Sequence, residues 1–191
     1  MRYLFILITV LSIVSCKNDS SKTYNQFNPE ITEILPEQTV INFLKWYRDN
    51  EERVNKIRYI KGGLKDTTTF YRIDFEAADK YFSELKKSNF LSDVFINDLR
   101  AYFKKGDENF VSHPQNDGPA DYFDFDLIMK SQDYMDVWTN LDKATVIEKT
   151  VSNNTAYIKL LFIGNYETKY RLTKINGKWL IDNIENAFAD K

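Results

Sequence analysis

The chain has 191 residues, with 26 basic and 28 acidic side chains, one cysteine and one histidine. That length fits one domain with a tail, and 43% apolar with 15% aromatic content can offset the entropy of ordering, which excludes global disorder. A net charge of -2 excludes a surface built to coat nucleic acid, one cysteine excludes an internal disulfide or multi-cysteine metal cluster, and one histidine excludes a two- or three-histidine metal site.

The first residues read MRYLFILITVLSIVSC, with Arg2 as a short positive flank and an apolar run from Tyr3 to Val14. Crossing a bilayer takes about 20 helical residues, so this run suits a signal peptide better than a membrane span. It ends in Ile13-Val14-Ser15-Cys16, which resembles the lipobox of bacterial lipoproteins. The resemblance implies a signal peptide over residues 1–15 and lipidation of Cys16, with the membrane as partner through that anchor. Residues 16–36 then form the lipidated cysteine and a polar, flexible tether, and 37–188 a single domain. Lys17 rather than aspartate follows the cysteine, which by resemblance to enterobacterial sorting favours the outer membrane.

Within the domain, Val40, Phe43, Leu44, Tyr47, Val54 and Ile57 recur at helical spacing, and Pro36 and Glu37 suit a helix start. Gly62-Gly63 and Thr67-Thr68-Thr69 break the pattern into a loop or irregular hairpin over 58–73. Asp74 reads as the N-cap of a second helix carrying Ala78, Tyr81, Phe82 and Leu85, ended by Ser88-Asn89. Ser92 reads as the N-cap of a third helix, buried along Phe95, Leu99, Tyr102 and Phe103 and closed by Gly106. Residues 107–143 are irregular, with two prolines and a glycine between His113 and Pro119 and a short strand or turn near 125–130.

From Ala144 the period becomes two. Thr145–Val151, Ala156–Ile163, Tyr166–Ile175 and Trp179–Ile184 read as strands joined by Asn153-Asn154, Gly164-Asn165 and Asn176-Gly177. Asn-Gly is the strongest short hairpin signal, so neighbours are antiparallel. Tyr166, Thr168, Tyr170 and Leu172 share one face, while Glu167, Lys169 and Arg171 share the other. In the last strand Trp179 and Ile181 are expected on one face, Leu180 and Ile184 on the opposite one. The expected class is α+β: three N-terminal helices packed on a curved antiparallel meander of four or more strands, cone-like.

The closing run Gly177-Lys178-Trp179-Leu180-Ile181-Asp182-Asn183-Ile184 resembles the last strand of the nuclear transport factor 2-like (cystatin-like) superfamily. More narrowly, Tyr81–Ser88, Leu91-Ser92 and Pro114–Pro119 resemble bacterial lipoproteins classed as domain of unknown function 3828, over roughly residues 38–186. That group carries no established activity, so the resemblance implies no catalytic residues and no cofactor.

Candidate chemistry is sparse. His113 alone titrates near neutrality, and with Asp121 or Asp124 it would make an acid–base pair. Its loop position and Pro114 favour a structural histidine instead. Asp117, Asp121, Asp124 and Asp126 offer oxygens to a hard cation but lack EF-hand spacing, so solvated carboxylates are the plainer reading. Trp46, Tyr47, Tyr81, Tyr102, Tyr122, Trp138 and Tyr166 would line a binding cavity or simply fill the core. The expected function is a non-enzymatic, lipid-anchored envelope module. It would bind a small ligand or protein with the concave sheet face and the 107–138 loop. The alternatives are an enzyme using His113 with an aspartate, or an inhibitor or immunity-type protein.

Overall fold

The computed structural model describes residues 34–63 and 68–186. The segment read as a signal peptide, Cys16 and most of the segment read as a tether lie outside the described residues. Helix α1 (Pro36–Asn55) starts on its proline and buries Val40, Phe43, Leu44, Tyr47 and Val54. Proline fits the first turn because its missing N–H would have no partner there. Strands β1 (Ile60–Lys61) and β2 (Arg72–Ile73) pair as a short antiparallel ribbon, the hairpin form of the 58–73 segment. Asp74 caps α2 (Phe75–Lys86) by accepting the Ala77 N–H at 3.1 Å. Ser92 caps α3 (Asp93–Ser112) by accepting the Phe95 N–H at 3.2 Å.

Two expectations for the helical half are corrected. Helix α3 does not close at Gly106 but runs on to Ser112. Gly106 is buried inside it, and a Cβ there would stand 2.5 Å from Cε2 of Phe123. The glycine is a seat for that ring, which also packs on Phe103 with centroids 5.0 Å apart. In the irregular middle the turn expected near 125–130 is present, but residues 135–143 hold helical turns that the sequence pattern does not indicate. A turn brings Lys130 N–H to the Asp126 carbonyl at 2.7 Å, and the five-residue helix α4 (Met135–Thr139) and a 3-10 turn at Leu141–Lys143 follow.

Strands β3 (Thr145–Ser152), β4 (Thr155–Leu161), β5 (Glu167–Ile175) and β6 (Lys178–Asn186) form one antiparallel sheet in chain order. Asn176 and Gly177 take φ of 50° and 80°, the paired positive values that an Asn-Gly hairpin requires. Ala156, Ile158, Leu160, Thr168, Tyr170 and Leu172 are buried on one face, and the helices α1 and α3 contact this sheet. Tyr157, Lys159, Lys169 and Arg171 point to the other, open face, as alternation demands.

Strand β6 departs from its expected phase. Leu172 pairs with Ile181 but Arg171 pairs with Asn183, so a bulge takes in Asp182. The extra residue returns Ile184 to the core beside Trp179 and Ile181, all three buried, rather than to the face opposite them. The two sheet edges differ. Ile181 exchanges backbone bonds with the α2–α3 linker, donating to Phe90 O at 2.8 Å and accepting from Ser92 N at 3.0 Å, which covers part of the β6 edge. All eight residues of β3 are exposed, and Lys149 ties that strand to Glu37 of α1 at 2.6 Å.

Asp107 fastens α3 to β2. Its carboxylate accepts Arg72 Nε at 2.8 Å, Arg72 Nη2 at 2.7 Å and the Ile73 N–H at 2.9 Å. The Arg72 bonds, then the Ile73 bond, hold it below the usual carboxylate range against an opposing desolvation effect. A carboxylate with a depressed folded value stabilises above its unfolded value and loses that contribution as pH falls through the folded one. Stability should therefore decline on acidification below about pH 4. Asp107→Asn should lower stability at pH 7 and flatten that acid limb, as read by urea unfolding at stepped pH. An unchanged limb would remove Asp107 from the explanation.

Candidate binding surfaces

A groove of about 860 Å³ opens between the C-terminal end of α1, β1 and the 119–134 segment. Its walls include Tyr59, Tyr81, Phe123, Phe125 and Tyr134, with Asp124 and Asp126 among them. Asp126 organises this region. Its Oδ1 accepts the N–H groups of Ile128 and Met129 at 2.9 and 2.7 Å, closing the turn. Its Oδ2 accepts the Tyr47 hydroxyl at 2.6 Å and Asn55 Nδ2 at 3.4 Å. One turn earlier on α1, Glu51 accepts the Tyr134 hydroxyl and Trp138 Nε1, each at 2.6 Å. Three α1 residues, Tyr47, Glu51 and Asn55, thus tie down the 126–138 segment.

Burial first, then nearby Tyr59, Asp126 and Tyr134, push the Tyr81 hydroxyl far above its ordinary value. Burial and Asp126 do the same to Tyr59, and burial followed by Glu51 and Asp126 to Tyr134. These hydroxyls stay neutral across the physiological range, so they act as hydrogen-bond partners and not as phenolates.

Of the seven aromatic residues singled out in the sequence, Tyr81 lines the groove. Trp46 is half-buried and stacks on Phe43 with centroids 6.4 Å apart. Tyr47 and Trp138 are buried behind the groove, rings 6.0 Å apart. Tyr102 donates its hydroxyl to the Tyr122 carbonyl, and their rings lie 5.8 Å apart. Burial raises the Tyr102 hydroxyl to about 12. Tyr166 donates to the Met129 carbonyl and is likewise pushed up to about 12. The wall residues Tyr59, Phe123, Phe125 and Tyr134 are not among those seven. The acid–aromatic alternation from Asp121 to Asp126 was the signal for two of them.

The candidate catalytic and metal residues have separate settings. His113 is the exposed C-cap of α3, with Nδ1 3.0 Å from Ser112 Oγ. The backbone N–H of Asp121 donates to Gln115 Oε1 at 3.0 Å, and Asp124 Oδ2 accepts Gln132 Nε2 at 3.1 Å. Asp117 Oδ1 accepts the Gly118 N–H at 2.8 Å. Among the described residues, no three His, Cys, Asp or Glu side chains converge as a set able to hold a metal ion. The proline-containing loop is pinned: Gln115 Nε2 donates to Pro119 O at 2.7 Å, and the Tyr71 hydroxyl to Gly118 O at 2.7 Å.

The second surface is the open face of the sheet. Tyr157 is 55% exposed there and stands directly across from Arg171. Lys159 bridges Glu148 at 3.1 Å and Glu167 at 2.8 Å, and these bonds raise its ammonium further. Asp182, 5% exposed, accepts Thr173 Oγ1 at 2.5 Å. Arg171 Nε lies 4.0 Å from Asp182, buried and without a hydrogen-bond partner among the described residues. A depression of about 300 Å³ sits between Tyr157, Lys159, Lys169, Arg171 and Glu185. The face is charged and aromatic, and among the described residues no helix covers it.

No protein-family model matches the sequence, and no curated protein matches it. The fold is similar to that of a chain in the type VI native effector–immunity complex Tae3–Tai3 from Ralstonia pickettii. That match has a TM-score of 0.50 at 16% identity and covers 83% of this chain and 99% of the other. A selenomethionine form of the complex matches at a TM-score of 0.45 and 16% identity, covering 82% of this chain and 100% of the other. At such identity the likeness is one of fold.

Proposed function

We propose that this chain is a lipid-anchored envelope protein whose domain binds a protein partner, as immunity proteins bind the effectors they neutralise. The observation that carries this reading is the open sheet face, where Tyr157 and Arg171 stand side by side on neighbouring strands. Tyrosine and arginine are enriched among the few residues that dominate interface energies. The Arg171 side chain as a whole is 41% exposed, so its guanidinium can offer N–H groups to a partner's carboxylate or carbonyl. The fold likeness to a chain of an effector–immunity complex supports the same direction. Neutralisation by covering an effector needs shape and charge from this chain, and no reacting group.

The test is capture and neutralisation. The full chain, extracted in detergent and immobilised, should retain one stoichiometric protein from envelope extracts. That protein should arrest growth when directed to the envelope alone, and co-expression of this chain should relieve the arrest. Retention of nothing, or of a protein whose effect this chain does not relieve, would overturn the reading.

Anchoring through Cys16 belongs to the same proposal. An envelope-facing binder is useful where the effector arrives, and acyl chains on Cys16 would hold it there. Cys16→Ser should move the protein from the membrane fraction to the soluble fraction of lysed cells. Unchanged membrane partitioning would remove the anchor.

A further inference from the structure

We propose that the groove beside Asp126 receives an arginine or lysine side chain carried on a loop of the protein partner. The assignment deepens the partner reading and rests on it. Tyr59, Phe123 and Phe125 supply aromatic walls, with Tyr59 and Phe123 centroids 5.7 Å apart. Such walls favour a cation over their faces and accept the aliphatic stem of a long basic side chain.

The charge of the groove complements that ligand. Asp126 is met by a tyrosine hydroxyl, an asparagine amide and two backbone N–H groups, and Asp124 by a glutamine amide. All these donors are neutral, and no ion pair neutralises either carboxylate among the described residues. Exposed Arg58 also lines the groove, and Lys130, whose amine senses Asp126 and Glu185, is outside its lining. With Arg58 counted against Asp124 and Asp126, the lining keeps one net negative charge, which in a cleft with aromatic walls favours a cation.

Tyr81 adds a neutral acceptor to the groove wall. It is 1% exposed, lines the groove, and its hydroxyl has no hydrogen-bond partner among the described residues. Its oxygen can accept an N–H from a guanidinium or ammonium. The groove is open and larger than a single side chain requires, leaving room for the loop that carries it.

The test is ligand-observed saturation-transfer NMR on the full chain in detergent. The probes are N-acetyl-arginine methylamide, N-acetyl-lysine methylamide and the neutral N-acetyl-citrulline methylamide. The two cationic probes should give signals at least fivefold above citrulline, and Asp124→Asn or Tyr81→Phe should each cut them at least threefold. Asp124 is exposed and Tyr81→Phe keeps the ring, so both variants should fold. Equal signals from citrulline, or signals unmoved by both variants, would overturn the cation site while leaving capture of a partner untouched. Adding the captured partner should abolish the probe signal. A signal that persists in the complex would assign the groove to a free small cation and overturn the docking. If no partner is captured at all, the docking falls with the partner reading even where the cationic probes bind.

Discussion

Replacing Asp126 with alanine should lower the unfolding free energy by about 3 kcal/mol, within the range for removing one partner of a buried charged network. The substitution leaves the buried Tyr47 hydroxyl with only its longer 3.2 Å bond to Asn55 Oδ1 in place of the 2.6 Å bond to Asp126. It also frees the N–H groups of Ile128 and Met129, so the turn before two buried residues loses its closure. Asp126→Asn retains one carbonyl oxygen, and about half the loss is expected from the same bookkeeping. Urea unfolding at pH 7 checks both. A loss under about 1 kcal/mol for the alanine variant would match an ordinary surface position and contradict the role given to this carboxylate.

Tyr157→Ala combined with Arg171→Gln should weaken partner binding by about a hundredfold, the loss expected if each of two interface anchors contributes about 1.4 kcal/mol. Stability should hardly move. Tyr157 is mostly exposed, and Asp182 keeps its bond from Thr173 when Arg171 is shortened. Biolayer interferometry against the captured partner gives the affinity, and a melting curve of the same samples separates binding from folding. A normal affinity would move the interface off the open face. A matching collapse in melting temperature would make the effect one of folding.

The parts of the fold that were legible are those written in neighbouring residues. Asn176-Gly177 made its hairpin because positive φ at both positions is a local property. Asp74 and Ser92 made their caps because the accepted N–H lies three residues away. The two faces of β5 followed from alternation alone. Gly106 misled because glycine has two uses. It frees the backbone at helix ends, but here it removes a side chain so that Phe123, from another segment, can approach. Ile184 changed face because a bulge shifts the phase of everything after it, and bulges leave little mark on one strand's pattern.

The groove was less legible for a related reason. Asp126 reaches Tyr47 across 79 residues, and Glu51 reaches Tyr134 and Trp138 across 83 and 87. No spacing rule connects such positions. The acid–aromatic run from Asp121 to Asp126 lies in the right segment but carries no mark of the helix that completes it. Among the aromatic residues picked as cavity lining, most were taken up by packing and by hydroxyl bonds to carbonyls, the commoner fate of an aromatic stripe.

The most direct measurement is site-specific photocrosslinking in living cells, with a benzophenone amino acid placed at residue 157 of the full chain and, as a comparison, at exposed Met135. A single discrete protein adduct from position 157, absent from 135 and lost when Arg171→Gln is added, is the result expected if the open sheet face seats a protein partner. No adduct at 157, or the same adduct from both positions, would contradict it.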